Sequence, residues 1–300
     1  MKKILFLGIG VLLLGGVKAQ QLTYNSQYML NSYLINPAAA GVENDLTIAS
    51  SFRQQWAGFK DAPKTQMLSG NALIKENMGV GAIIYNDVTG PLRNLGFQGS
   101  YSYHLQIGDN SKLALGVSLM ATQHILDGSS FVLNDEVDNT LNGAKLKSFN
   151  PDATFGMHYF GENYFLGISI PQLIQNKYKF SDNINSINKE VRHYFMTGGY
   201  TFEVNDEIKI QPSALLKFVL NTPFQFDINA RMFYKDNLWI GASYRDKESV
   251  VALLGIKRDQ FVIGYSYDYT LSPIKNYSAG THELYIEFQI PHKGTAAASL

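Results

Sequence analysis

Cysteine is absent from the 300 residues. That excludes a disulfide scaffold, a thiolate metal site, a cysteine nucleophile and a lipidated N-terminal Cys. Charge is scarce too: Asp, Glu, Lys and Arg make up 17% of the chain, against about 25% in soluble domains. The 25 basic and 25 acidic residues cancel, so no net basic field exists to displace counterions from a nucleic acid. No nucleic-acid partner is expected. Proline numbers only 9, whereas Tyr and Phe reach 18 each and Gly reaches 26. Low charge with many aromatic residues and glycines has to be explained.

One long apolar run exists, and it lies at the start. Met1-Lys2-Lys3 precedes the stretch Ile4 to Val17, and Val17-Lys18-Ala19 then offers small residues at signal-peptidase spacing. The run is short for a membrane-spanning helix and has the flanks of a secretory signal, so residues 1–19 are expected to be removed. Loss of Lys2, Lys3 and Lys18 leaves 25 − 3 = 22 basic against 25 acidic residues, a net charge of −3. An exported chain without a later long apolar run is periplasmic, secreted or an outer-membrane barrel.

Periodicity separates these three. Phe97, Tyr101, Tyr103 and Leu105 share one parity, against Gln98, Ser100, Ser102 and His104. Leu113, Leu115, Val117 and Leu119 alternate with Ala114, Gly116, Ser118 and Met120, and similar alternation recurs through Phe226–Met232, Phe261–Tyr269 and Leu284–Phe288. Side chains on a strand point to opposite faces in turn, so each segment has an apolar face and a small or polar one. No comparable stretch keeps the helical i, i+3, i+4, i+7 spacing. About 14 strands are expected, at 46–55, 65–75, 78–87, 95–106, 112–125, 152–159, 164–170, 192–202, 208–219, 225–234, 238–245, 249–257, 261–269 and 281–289.

Connections after even-numbered strands read as tight turns. Those after odd-numbered strands read as longer, including Trp56–Lys64, Val88–Asn94, Leu126–Pro151 and Pro171–Val191. Even strand number with short turns at one end and long loops at the other is the pattern of an all-β, transmembrane, antiparallel outer-membrane barrel. No open sheet edge can sit in hydrocarbon, so the sheet must close. On this reading the long loops are extracellular and both termini periplasmic. Residues 20–45 form an N-terminal plug or periplasmic segment, 46–290 the barrel and 291–300 a tail. The composition follows: a lipid-facing wall replaces Lys and Glu with Leu, Val, Phe and Tyr, and Tyr101, Tyr103, Tyr265 and Tyr269 suit interfacial girdles.

Four segments resemble one family. They are Gln27-Tyr28-Met29 with Asn36-Pro37-Ala38-Ala39-Ala40-Gly41, then Arg53-Gln54-Gln55-Trp56-Ala57-Gly58 with Ala62-Pro63-Lys64-Thr65. The third is Gly79-Val80-Gly81 with Asn86-Asp87-Val88-Thr89-Gly90-Pro91. The fourth is Gly264-Tyr265-Ser266-Tyr267-Asp268 with Gly280-Thr281-His282-Glu283-Leu284. In order and spacing these are similar to the PorP/SprF family of type IX secretion membrane proteins of the Bacteroidetes. The resemblance implies an outer-membrane barrel that partners type IX components and a cognate secreted, adhesin-like protein with a type B C-terminal domain, for export or surface attachment. The tail from Pro291 to Leu300 departs from barrels that end on an aromatic residue, as Phe288 would without it.

Within these segments Asn36, before Pro37, is biased to extended backbone. Arg53 reads as a lumen charge paired with an acid, Trp56 as a girdle residue or loop contact, and Asp87 to Pro91 as a turn. Asp227, Arg231, Asp268, Glu283 and Glu287 are expected in the lumen, where charge meets water or charge instead of lipid. They form a structural network or a selectivity filter. The acidic run with Asp135, Glu136 and Asp138 lacks the Gly and distal Glu of a calcium loop, so it reads as solvated. With Pro171–Val191 it offers the largest surface for a protein partner. No G-x-S-x-G elbow, H-E-x-x-H pair or phosphate loop occurs, and the six His are scattered. No enzyme activity, catalytic residue, cofactor or metal is expected. The rival function is a passive channel for small or hydrophobic solutes.

Overall fold

The computed structural model of the chain describes residues 25–43, 46–130, 145–178, 180, 189–220 and 222–291. The expected signal (1–19), Asp135, Glu136 and Asp138, and the tail beyond residue 291 lie outside the described residues.

Alternation of side chains drives the fold. In β1 (Leu46–Gln54) Thr47, Ala49, Ser51 and Arg53 are buried, whereas Leu46, Ile48 and Phe52 are exposed on the outer wall. A sheet that is apolar outside and polar inside inverts a soluble protein, and it is stable only when hydrocarbon surrounds it. The strands that follow are β2 (Lys64–Lys75), β3 (Met78–Thr89), β4 (Leu92–Gly108), β5 (Ser111–Asp127), β6 (Lys145–Gly161) and β7 (Tyr164–Ile170). Then come β8 (His193–Tyr200), β9 (Phe202–Asn205), β10 (Ile208–Val219), β11 (Gln225–Tyr234) and β12 (Leu238–Arg245). The last are β13 (Ser249–Arg258), β14 (Phe261–Thr270) and β15 (Thr281–Ile290).

Each strand pairs antiparallel with its neighbours, and β1 pairs with β15 from Leu46↔Ile290 to Gln54↔His282. That pairing closes the sheet and leaves no edge. β8 and β9 both pair with β10, and they are separated at Thr201, whose N–H donates to Asn163 O at 2.7 Å. They fill one position, so the barrel has 14 strands. The alternation did not foretell this break.

Short turns gather at one end, as expected, but two long connections shrink. The link read as Val88–Asn94 is only Gly90-Pro91, because β3 and β4 stay paired up to Thr89↔Leu92. Asp87 is therefore a strand residue, not a turn residue. Leu126 pairs with Leu146, and Pro151 with Ala121. The expected Leu126–Pro151 loop thus begins after Asp127 and ends before Lys145.

β1 begins and β15 ends at the short-turn rim. Upstream of β1, however, the chain doubles back inside the barrel, so Asn25 donates to Ser51 Oγ at 2.8 Å near the long-loop rim. Residues 1–24, and with them the N-terminal end expected at the short-turn rim, lie outside the described residues; Asn25 is the first described residue and sits near the long-loop rim. Buried charges at that rim hold it there.

Candidate functional site

Residues 25–43 fill the lumen as three 3-10 turns, Ser26–Met29, Ser32–Leu34 and Pro37–Ala39. This stretch has no strand or helix periodicity, so its shape is set by what it touches. Asn31 and Asn36 cap the second and third turns, accepting from the N–H groups of Tyr33 and Ala38. Such local side-chain bonds favour turns over regular structure.

The lower half sits in a slot cut by glycine. A β-carbon at Gly79 would overlap Ala40 O, one at Gly116 would overlap Ala38, and one at Gly156 would overlap Asn36 Oδ1. Asn36 Nδ2 donates to Met157 O at 2.8 Å, and Ser102 Oγ donates to Ala40 O at 2.7 Å. Gly41, at φ +75°, turns the chain out of the slot, and its N–H donates to Asn71 Oδ1 at 3.0 Å. Tyr33 spans the lumen against Gly81 and shares a hydrogen bond with Ser100 at 3.0 Å.

The upper half is held by charge. Glu283 accepts the backbone N–H of Ser26 at 2.6 Å and pairs with Arg53 at 3.0 Å. Asp268 pairs with Arg53 at 2.8 Å and accepts the Ser26 hydroxyl at about 3.0 Å. That hydroxyl also accepts from Arg53 at 2.7 Å and Arg245 at 3.3 Å. Arg245 reaches Glu248 at 3.0 Å and Asp227 at 3.5 Å, and Lys217 meets Asp227 at 3.0 Å. Three cations and three fully buried carboxylates thus form one network, in which Arg53, Arg245, Asp268 and Glu283 hold Ser26. Buried charges persist only when paired and hydrogen-bonded.

The residues singled out by sequence fall into three places. Asn36, Pro37, Gly41, Arg53, Asp268, Glu283 and Asp227 build the plug and its clamp. Asp87 lies in the same wall, accepting from Thr65 Oγ1 at 2.7 Å. Arg231 stacks over Phe233 at 5.1 Å and donates to Gln211, while Glu287 accepts from Tyr285 and Gln289. Trp56, Pro63 and Gly90 belong to the long-loop rim. The Trp56 N–H donates to Thr281 Oγ1 at 3.1 Å, Pro63 O accepts from Gln55, and the Gly90 N–H donates to Asp61 O. Tyr265 and His282 face outward and share a hydrogen bond of 2.6 Å.

Sequence reasoning offered Pro171–Val191 to a partner but missed that its described parts turn toward the lumen. At its C-terminal end Glu190 points inward, accepting from Asn150 at 3.2 Å and lying 3.7 Å from His124. His193 meets Gln172 at 2.7 Å, and Tyr178 packs edge-on against His124 with centroids 4.6 Å apart. Burial, with the Glu190 charge adding to it, pushes the Tyr178 hydroxyl up to about 12. Polar residues at a strand's loop end, such as His124 and Asn150, were the available signal. Among the described residues no three His, Asp or Glu side chains converge as a metal site requires.

Several solved structures share this architecture. The Pseudomonas putida toluene transporter TodX is 10% identical, covering 87% of this chain and 94% of its own, with a TM-score of 0.50. A TodX monoaromatic hydrocarbon channel mutant is 12% identical, covering 90% and 95%, also at 0.50. Omp33 of Acinetobacter baumannii is 9% identical, covering 82% and 99%, at 0.49. At such identities the likeness is one of fold, that of an outer-membrane barrel. No curated protein matches the chain. A family profile does, described as type IX secretion system membrane protein PorP/SprF, and it runs over residues 17–288, from ahead of the plug through the clamp carboxylates to β15. With the barrel, the plug segment and the clamp all inside that match, the chain belongs to the PorP/SprF family of outer-membrane proteins of type IX secretion.

Proposed function

We propose that this barrel binds a cognate secreted protein at its long-loop end, for export or for retention at the cell surface. The observation that carries the reading is the filled lumen. A solute channel needs a continuous open path, whereas here Tyr28, Tyr33, Ala38 and Ala40 are buried against the inner wall. What a filled barrel offers a partner is its rim, and the long connections Gln55–Pro63, Pro171–Arg192 and Leu271–Gly280 supply it. Loops on a rigid scaffold are where binding concentrates.

On this reading the long loops face the cell exterior. The client belongs to the class expected from family resemblance, a large adhesin-like protein with a type B C-terminal domain. Trp56, Pro63 and Gly90 order the first two connections, and Asp87 and Glu190 anchor the wall beneath them. The clamp holds the barrel shape; it does not select ions.

Deleting the gene tests this. The expected result is that one or a few large surface proteins disappear from the cell surface while other type IX substrates are still exported. An unchanged surface and culture-fluid proteome would overturn the proposal. Solute uptake by vesicles carrying the purified barrel would favour a channel instead.

A further inference from the structure

The long-loop rim of the outer wall is divided into two unlike halves. On β8 to β14, the outward residues nearest the loops are Tyr194, Phe218, Phe226, Tyr244, Val250 and Tyr269, all but one of them aromatic. Phe218 packs on Phe224 at 4.8 Å, and Phe226 on Tyr244 at 6.2 Å. This is an ordinary aromatic girdle.

On β2, β4 and β6 the equivalent outward residues are cations, with Val88 of β3 and Ile125 of β5 between them. Cross-strand register links Lys64↔Val88, Val88↔Arg93, Arg93↔Ile125 and Ile125↔Lys147. All three cations are exposed, and each lies within three residues of the loop end of its strand. Each faces away from the lumen, since its flanking neighbours Thr65, Asn94 and Ser148 face inward. Strands sit about 4.8 Å apart, so successive cations are separated by roughly 10 Å.

The guanidinium is oriented, not loose. Arg93 Nε donates to Asn86 Oδ1 at 2.7 Å, and Asn86 Nδ2 donates to Gln66 Oε1 at 3.1 Å. Among the described residues no carboxylate pairs with Lys64, Arg93 or Lys147. The nearby Asp127 is taken by Lys145 at 3.6 Å. Beyond the outward row of Gln66, Asn86 and Leu95, toward the short-turn rim, come Leu68, Ile84 and Phe97, all exposed and apolar. Cations without a carboxylate partner among the described residues, above an apolar belt, cannot sit in hydrocarbon without cost. They are stable where anionic headgroups meet them, at about 1 kcal/mol each.

We propose that the β2–β6 half of this rim is a binding site for a phosphate-bearing glycolipid headgroup of the outer leaflet. Lys64, Arg93 and Lys147 contact the phosphate oxygens, and Asn86 positions Arg93. Phosphate suits a guanidinium flanked by ammonium groups, because charge-assisted bonds to it are strong and directional. The site rests on the reading that the long loops face outward. Labelling a cysteine placed at Tyr277 with a membrane-impermeant reagent on intact cells reports that orientation separately.

Native mass spectrometry of the full barrel in detergent tests the site. The probes are diphosphorylated lipid A, its dephosphorylated form, phosphatidylglycerol and inorganic phosphate. The expected result is retention of diphosphorylated lipid A alone. Combining Lys64→Gln, Arg93→Gln and Lys147→Gln should weaken it about a hundredfold, at about fivefold per cation. The set Lys64→Arg, Arg93→Lys and Lys147→Arg should bind within a few-fold of wild type. Heat-modifiable migration on gels shows that each variant is folded. If the triple Gln variant does not fold, Arg93→Gln alone should weaken binding about fivefold. Unchanged binding by the Gln variants would overturn the site. So would equal binding of the dephosphorylated lipid, phosphatidylglycerol or free phosphate.

Discussion

At the scale of the residue, Glu283 and Ser26 decide whether the plug stays. Glu283 is fully buried and answers both the Arg53 guanidinium and the Ser26 backbone. Removing one partner of a buried pair leaves an uncompensated charge, at a cost of about 3–5 kcal/mol. Glu283→Ala should therefore lower the unfolding free energy from urea titration of detergent-folded protein by that amount, whereas Glu248→Ala, at the exposed end of the network, should cost under about 1 kcal/mol. Equal effects would contradict the clamp. The glycine slot makes a second prediction. Gly116→Ala drives a methyl into Ala38, an overpacking worth about 1–3 kcal/mol, while Gly99→Ala meets open space and should be near neutral by the same titration. The charges of this site were legible, because alternation alone turns Asp227, Asp268 and Glu283 inward. The meeting of Asp268 and Glu283 at Ser26 was not, since Ser26 and Asp268 are 242 residues apart in sequence.

At the scale of the element, the β-strands follow period two wherever one face is apolar. Reading fails where it is not. Thr89, Leu92 and Arg93 look like loop residues, yet they pair to the end of β3 and β4 because a two-residue turn at Gly90, φ +54°, suffices. Residues 25–43 have no period at all, and their turns are dictated by long-range seats. The described part of the connection Pro171–Arg192 makes its own prediction through Tyr178. Its hydroxyl is protonated in the folded loop, with its pKa raised from about 10 to about 12 by burial and Glu190. That contribution to stability is complete below pH 10 and is lost as pH rises toward 12. The difference between ultraviolet titrations of wild type and Tyr178→Phe should have its midpoint near 12. A midpoint near 10 would mean that the loop lies open.

At the scale of the whole molecule, low charge, abundant Tyr and Gly, and missing Cys have one explanation. The wall is anchored by its strands, the aromatic residues face the membrane interface, and several glycines exist to admit the plug. A barrel filled this way should not conduct. In planar bilayers the wild type should show no steady pore, and combining Arg53→Ala with Glu283→Ala should produce intermittent openings as the upper plug detaches. A steady wild-type conductance would contradict the filled lumen. The central claim is that the barrel serves a secreted protein, and it is tested most directly by purifying the chain from its native membrane in mild detergent and weighing the complex. The account predicts a mass far above that of the 33.5 kDa chain, with a large secreted protein bound in fixed ratio and released when the loop Pro171–Arg192 is shortened. A lone barrel, or a complex indifferent to that loop, would contradict it.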